Sequence, residues 1–292
     1  MPPDSLREPK DDMTLCIAAL ARDEDNSFCL VTCSDKMEST DVWGSETLHK
    51  VQVLSPDVVS LFADSPARAK ELKLLYEEYL GKHELQAANV VQQLEQPLIA
   101  LKRRLAASYV GRRLGLSYEE LVQDPAKWQD YLERIEAHQT RVSLIVAGFI
   151  KKRPILLQTA QLDTTDPNQR LEWVQHFAVI GSGSWLAEPS LRMREQDQNT
   201  KLGNTLYNVY EAKRQAEIGP AVGKKITRIY ILRHRRAEDA HLRAEILTQH
   251  GLMQLQELYE MYGPKKTPAM YTQNIMTPKC LAPVQFSDPE EQ

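Results

Sequence analysis

The sequence predicts an α+β fold in which antiparallel sheets and helices form separate layers. Strand-like and helix-like segments occur in separate runs along the chain, whereas a doubly wound parallel sheet requires them to alternate regularly. The strand-like segments near the N-terminus come in pairs joined by short polar turns, as in antiparallel hairpins. The helices that follow these pairs would cover one sheet, and the later helices would cover the other.

Two hairpins are predicted at the start of the chain. Segments 14–21 (TLCIAALA) and 27–35 (SFCLVTCSD) are β-prone and are joined by the polar residues RDEDN. Segments 49–54 (HKVQVL) and 58–63 (VVSLFA) flank the turn SPD. Residues 1–13 are polar and contain no apolar run, so they are interpreted as a disordered leader and not as a secretory signal.

Two helices are expected after the hairpins. The first begins at Pro66, because a proline fits the first helical turn, and it ends at Gly81. The second is predicted over 84–108, where leucines recur at helical spacing, with a bend at Pro97. Residues 111–139 are charged and helix-prone and are interpreted as a helical insertion.

The second half of the chain again separates strands from helices. Strands are predicted at 142–150, 154–162, 176–181 and 226–233. Helices are predicted after the sequence GSGS, at 204–217, and at 238–263 as a C-terminal helix. We therefore expect one domain over residues 14–263, followed by a loosely ordered tail over 264–292.

Composition limits the partners that this protein can have. The formal net charge is −4, so the chain offers no broad basic surface for nucleic acid. No apolar run reaches the roughly 18 residues that cross a bilayer. The four cysteines are too few for a disulfide scaffold, and we expect them to be reduced and buried. These features predict a cytoplasmic protein with no nucleic-acid and no membrane partner.

The junction Met13-Thr14 precedes the first strand. If translation begins at Met13, this initiator methionine is removable because it precedes a small residue, and self-cleavage of a propeptide over residues 1–13 would give the same product. Either event leaves Thr14 with a free α-amine, whose reference pKa near 8 suits it to activate the threonine hydroxyl. Taken alone, Thr14 is better explained as an ordinary β-prone residue at a strand edge.

Two further residues suit a charged site. Asp35 ends the second strand, and a carboxylate there can hold a lysine by charge and hydrogen bonding. Lys50 lies among β-prone residues, and an inward-pointing lysine would lower the pKa of a neighbouring nucleophile. Taken alone, the two residues also fit a turn aspartate and a surface lysine.

The sequence GSGS at 181–184 separates a strand from a helix. Its glycines permit close backbone approach, and Ser182 could hydrogen-bond a free α-amine, although a helix-capping turn explains the same residues. It matches neither a dinucleotide nor a P-loop motif, and no cysteine–histidine set has zinc spacing. No cofactor or metal is therefore expected. Cys16 is an alternative nucleophile, but its apolar neighbours are more typical of a buried strand.

Together these segments resemble the proteasome β-subunit superfamily of N-terminal-nucleophile (Ntn) hydrolases, including small bacterial and phage proteasome-like proteins. The resemblance covers about 14–82 and 141–233. It implies a four-layer αββα sandwich of two antiparallel sheets. The segments that carry it are MTLCIAAL, VTCSDKM, ETLHKVQVL, VVSLFAD and HFAVIGSGS.

The resemblance also implies roles for individual residues. Thr14 corresponds to the nucleophile, Asp35 and Lys50 to the charged pair beside it, and Ser182 to the serine that positions the amine. Glu217 falls near the family's later aspartate. Such an enzyme would be a threonine peptidase or amidohydrolase that cuts a peptide or amide substrate through an acyl-enzyme. Family members assemble into rings, so a homo-oligomer is expected, while an ATPase partner is left open.

The chain departs from the family pattern at three places. Asp64 stands where the family has the glycine of the oxyanion hole, and Pro220 stands where it has a serine. No glycine precedes Thr14, although self-cleavage usually occurs after one. These departures motivate a second hypothesis, a non-catalytic assembly or interaction protein that resembles the proteasome α subunits. A third is an enzyme that cleaves amides in small molecules.

Overall fold

Eleven strands in the described part of the chain form two antiparallel sheets. The structure is a computed structural model that describes residues 15–35, 50–63, 66–129, 142–159, 170–219, 222, 227–234, 242–263, 277 and 279–284. The strands are β1 (Cys16–Arg22), β2 (Phe28–Asp35), β3 (Val51–Ser55), β4 (Val58–Phe62), β5 (Leu144–Ile150), β6 (Arg153–Thr159), β7 (Leu171–Trp173), β8 (Phe177–Ile180), β9 (Thr227–Arg233), β10 (Arg243–Leu247) and β11 (Leu281–Val284). The strand order is β11-β10-β9-β2-β1-β8 in one sheet and β3-β4-β5-β6-β7 in the other.

Helices cover the outer faces of the two sheets, and the described residues include six helices whose two ends are both placed. They are α1 (Pro66–Leu80), α2 (Val90–Leu114), α3 (Tyr118–Gln123), α4 (Ser184–Met193), α5 (Leu202–Ala216) and α6 (Gln249–Tyr262). The helices α4, α5 and α6 pack on the six-stranded sheet, and α1 and α2 pack on the five-stranded sheet. None of the helices in the described ranges combines the length and the apolar character that a membrane span requires.

Strand β1 shows how the sequence produces this layering. Ile17 and Ala19 face the helices, whereas Cys16 and Ala18 face the second sheet, because side chains alternate along a strand. Both faces of β1 are therefore buried, which explains why the segment is apolar throughout and shows no alternation with polar residues. Strand β5 is buried on both faces in the same way.

Three apolar layers separate four layers of secondary structure. One lies between α4–α6 and the first sheet, one between the two sheets, and one between the second sheet and α1–α2. The predicted four-layer αββα sandwich is therefore confirmed. The two predicted hairpins are also present, with β1 paired to β2 in one sheet and β3 paired to β4 in the other.

The predicted C-terminal helix over 238–263 is wrong in its first half. Residues Arg243–Leu247 form β10, which pairs with β9, and α6 begins only at Gln249. Thr248 caps α6 by accepting a hydrogen bond from the Gly251 N–H at 3.2 Å. The alanine, glutamate and leucine in this segment favour a helix, but pairing with a buried strand overrides that preference.

Part of the predicted tail over 264–292 is also ordered. Residues Leu281–Val284 form β11 at the edge of the six-stranded sheet. Pro283 is tolerated there because an edge strand can leave one side without hydrogen-bonding partners. The short strand β7 was not predicted, because three residues carry too little periodicity to be recognised.

The region predicted as a helical insertion, 111–139, contains the end of α2 and the short helix α3. The helix predicted over 84–108 is α2, which begins at Val90 and continues to Leu114. Gly115 ends it with a φ of +66°, and Ser117 starts α3 with a capping box. Residues 130–139, like the leader 1–13, lie outside the described residues.

Replacement of Gly148 by alanine should destabilise the second sheet. A Cβ atom at this position of β5 would lie 2.2 Å from the Asp57 carbonyl oxygen and 2.8 Å from the Val58 Cα, both of which are backbone atoms. We expect Gly148→Ala to lower the free energy of unfolding by about 1–3 kcal/mol in chemical denaturation.

The matched control is Gly111→Ala in α2. The nearest atom to a Cβ at Gly111 is the Leu116 carbonyl oxygen at 3.9 Å, which is an ordinary contact. Because alanine favours a helix over glycine, this variant should be neutral or more stable by up to about 1 kcal/mol. Equal effects of the two substitutions would contradict the close approach of β5 to β4.

Candidate functional site

Four strand ends of the first sheet meet at one end of the sandwich. Cys16 at the start of β1 pairs with Ser34 near the end of β2 and with Ile180 at the end of β8. Asp35 at the end of β2 pairs with Thr227 at the start of β9. Antiparallel pairing therefore brings together segments that are far apart in sequence. Lys50, which directly precedes β3, reaches the same end from the second sheet.

Asp35 and Lys50 form a buried ion pair that joins the two sheets. Their side chains are 2% and 4% exposed, and the Lys50 ammonium contacts Asp35 Oδ1. The same oxygen accepts the backbone N–H of Leu15 at 3.0 Å. Burial of a single charge would cost several kcal/mol, so each partner makes the burial of the other tolerable. The sequence-predicted residues Asp35 and Lys50 are thus in contact.

The glycine-containing turn after β8 packs against the start of β1. Gly181 has a φ of +98°, a left-handed conformation that favours glycine. A Cβ atom on Gly183 would lie 2.5 Å from Val222 Cγ2 and 3.4 Å from Leu15 Cδ1, so this position also requires a glycine. Ser182 lies on this turn and is exposed to solvent. The turn therefore lies next to Leu15, whose backbone N–H donates to Asp35.

Glu217 lies at the C-terminal end of α5, and its buried carboxylate is paired twice. It contacts the ammonium of Lys213 and accepts from Arg214 Nη1 at 2.6 Å. Lys213 was not singled out from the sequence, and its side chain is only 1% exposed. Burial lowers the pKa of Lys213, while the charges of Cys33 and Asp35 act in the opposite direction. This lysine is therefore an electrostatic neighbour of Asp35.

The signal for Lys213 is present in the sequence. Lys213 is four residues after Val209 and three before Ala216, so these three residues lie on one face of α5. Both apolar residues are buried against the sheet. A lysine on the buried face of a helix is unusual, but the surrounding sequence EAKRQAE is typical of a solvent-exposed helix surface.

Three of the residues discussed from the sequence lie outside the described residues. They are Thr14, Asp64 and Pro220. Leu15, which follows Thr14 in the chain, is described and buried. The structure therefore describes Leu15, Asp35 and Lys50, while the predicted nucleophile itself lies outside the described residues.

One solved structure that the chain resembles is a mutant of Anbu, a bacterial proteasome-like protein of the Ntn-hydrolase type, from Hyphomicrobium sp. strain MC1. The alignment covers 85% of this chain and 94% of the Anbu chain, with a TM-score of 0.54 and 15% sequence identity. The fold is proteasome-like. No protein-family model matches the chain, and no curated protein matches it either.

Cys16 lies in this proteasome-like fold two residues after Thr14, but its surroundings suppress its reactivity. The side chain faces the layer between the sheets, and its Sγ donates to the Phe62 carbonyl at 3.7 Å. Burial raises the pKa of Cys16 to about 12, and the nearby Lys50 offsets this only in part. Because the thiolate is the reactive form, Cys16 is a poor nucleophile.

The cleft at the opposite end of the sandwich is separate from this site. It has a volume of about 520 Å³ and is lined by residues from the β1–β2 and β5–β6 turns and the end of β9. Arg233 in its wall is paired with both Asp23 and Glu245. The positive charge of Arg233 is therefore compensated by these two carboxylates. Among the described residues, no cluster of histidine, cysteine and acidic side chains has the arrangement of a metal site.

The buried ion pair gives a test of stability. In Asp35→Ala the Lys50 ammonium and the Leu15 N–H lose their acceptor, so we expect the free energy of unfolding to fall by about 3–5 kcal/mol. The control is Glu78→Ala, which removes the exposed pair with Lys82 and should cost less than about 1 kcal/mol. Similar small losses in both variants, measured by urea denaturation, would contradict the assignment.

Thiol labelling tests the environment of three cysteines. Burial raises the pKa of Cys16, Cys29 and Cys33 to about 12 in each case. At about pH 8 only on the order of one thiol in ten thousand is then ionised. Iodoacetamide should modify these residues only after denaturation, as measured by peptide mass spectrometry. Rapid modification of Cys16 in the native protein would reopen its role as a nucleophile.

Proposed function

We propose that this protein is a threonine peptidase or amidohydrolase in which Thr14 is an N-terminal nucleophile. The observation that supports the proposal is the buried Asp35–Lys50 pair, whose carboxylate also binds the backbone N–H of Leu15. Leu15 is bonded to Thr14, so this hydrogen bond anchors the chain one peptide unit from the proposed nucleophile. A positive charge at that place favours an ionised hydroxyl.

The proposed reaction is acyl transfer to the threonine hydroxyl. Thr14 Oγ attacks the substrate carbonyl carbon, and its proton passes to the neutral α-amine of the same residue. The carbon–nitrogen bond then breaks, and the leaving amine takes that proton. Water attacks the resulting ester, the α-amine takes a proton from this water, and hydrolysis releases the acid and restores Thr14.

Lys50 has an electrostatic role in this scheme. Its ammonium lowers the cost of negative charge on the attacking oxygen, and Asp35 holds the ammonium in place. Backbone N–H groups would hold the oxyanion. Ser182 would position the α-amine, because its turn packs against Leu15. Glu217 would supply negative charge from the end of α5.

The positions of the described histidines favour an amine as the base. His83 contacts the Tyr79 carbonyl, His176 contacts Gln198, and His250 contacts Gln254. His234 lies against Phe149 beside the cleft at the opposite end of the sandwich. Each of these four side chains makes its contacts away from Asp35 and Lys50. Among the described histidines none is placed to take the proton, and this supports the α-amine of Thr14 as the base in the proposed reaction.

The chemistry of the proposed site restricts the substrate to a peptide or another amide. We also propose a cytoplasmic homo-oligomer, with no nucleic-acid or membrane partner, as the resemblance and the composition suggest. The reaction needs no metal or cofactor, because an ammonium and backbone donors would stabilise the charge that develops.

Intact-mass analysis and covalent labelling test this proposal. The native chain should begin at Thr14, and a threonine-directed electrophile such as a β-lactone should add once, at Thr14. Thr14→Ala should abolish the adduct. Thr14→Ser, the matched control, should retain it because the hydroxyl remains. Lys50→Met should slow labelling by roughly a hundredfold, the lower end of the range for positioned charged groups.

Retention of residues 1–13 in the native chain would block the α-amine and overturn the proposal. A chain that begins at Thr14 but does not react would favour the second hypothesis, a non-catalytic assembly or interaction protein. A labelled protein that hydrolyses only small amides and no peptide would favour the amidohydrolase over the peptidase.

A further inference from the structure

We propose that Lys213 is a positioning residue for the Asp35–Lys50 pair, acting on Asp35 from the helix layer. This inference rests on the proposed function for its catalytic consequence. Its structural part, the coupling between Lys213 and Asp35, can be measured without any activity. Lys213 is not among the site residues that the sequence predicts.

The position of Lys213 on α5 directs it toward strand β2. Its neighbours on the same helix face, Val209 and Ala216, belong to the apolar layer between the helices and the first sheet. Cys29, Val31 and Cys33 of β2 belong to the same layer. The Lys213 side chain is therefore enclosed between α5 and β2, in agreement with its 1% exposure.

Asp35 is approached from two sides. It is two residues after Cys33, so both side chains leave the same face of β2, which is the face covered by α5. Lys50 contacts the carboxylate from the second sheet. Lys213 lies on the helix side, and the charges of Cys33 and Asp35 are among the principal influences on its ammonium. Lys50 thus pairs with Asp35 directly, whereas Lys213 pairs with Glu217 and would act on Asp35 through its charge.

The buried charges balance as a group. Lys50 and Lys213 supply two positive charges, and Asp35 and Glu217 supply two negative charges. Arg214 binds Glu217 from a partly exposed position and is held over the ring of Tyr259 on α6. Removal of Lys213 alone would leave two buried carboxylates to share one buried lysine. The Asp35 carboxylate would then no longer be fixed from the helix side.

Stability does not account for this arrangement. Replacing a buried ion pair by apolar residues of similar size is often neutral or stabilising, and the neighbouring positions on this helix face are already apolar. The Lys213–Glu217 pair is therefore more readily explained by its effect on Asp35. We infer that it fixes the carboxylate so that one oxygen can serve both Lys50 and the Leu15 N–H.

A double-mutant cycle tests the electrostatic coupling between Lys213 and Asp35. Lys213→Met and Asp35→Asn each remove one charge at nearly constant volume. We expect the combined variant to lose less in its urea midpoint than the sum of the two single losses. The control pairs Asp35→Asn with Lys82→Met, an exposed lysine on the far helix layer, and these losses should be additive. Additive losses in the Lys213 cycle would overturn the proposal whether or not the protein is active.

The rate of Thr14 labelling tests the consequence. Lys213→Met/Glu217→Gln removes both charges of the pair, so its urea midpoint should stay close to that of the wild type. Its labelling rate should nevertheless fall by roughly tenfold or more, and further than the rate of Glu217→Gln alone, because Glu217 has a proposed role of its own. A rate within about twofold of wild type, in a stably folded double variant, would overturn the positioning role. If the wild-type protein itself is not labelled, the proposed function fails, and the double-mutant cycle alone decides the role of Lys213.

Discussion

The buried ion pair between Asp35 and Lys50 is the constraint on which this end of the molecule depends. Asp35 belongs to the first sheet, and Lys50 precedes the first strand of the second sheet. Neither charge is stable alone in a dry interior, so the two sheets must bring them together with the right geometry. The shared oxygen also binds the Leu15 N–H, which fixes the start of β1 against the same pair.

The layered packing explains why such a site lies at the end of the sandwich. The middle of β1 is apolar on both faces, and those faces are filled by helices on one side and strands on the other. The charged pair Asp35–Lys50 lies where the strands end, and antiparallel order places four strand ends there. The glycine turn at 181–183 belongs to the same packing, because Gly183 leaves room for Val222 and Leu15.

The sequence predicts most of the fold because its strands and turns are local signals. Short β-prone runs and the polar turns between them are sufficient for the β1–β2 and β3–β4 hairpins. They fail for β10, where Ala244 and Glu245 favour a helix and only the pairing with β9 decides the outcome. They also fail for β11, whose place at the sheet edge depends on residues far away in the chain.

The candidate site is less predictable, because its residues are brought together by tertiary structure. By pattern alone Lys50 is a surface lysine, and only the resemblance to the proteasome superfamily pairs it with Asp35. Lys213 is hidden in a charged segment, and its burial depends on which face of α5 meets β2. No local pattern distinguishes a lysine that faces water from one that faces a buried carboxylate on another element.

Burial disfavours the charged form of both the thiols and Lys213 at this end of the sandwich, but only the lysines have carboxylate partners. Cys16 and Cys33 are kept neutral, because desolvation raises the pKa of each thiol to about 12. Lys50 and Lys213 each have a carboxylate partner that compensates for the loss of water. The interior therefore suppresses the reactivity of the two thiols, whereas the two lysines are held in ion pairs with buried carboxylates.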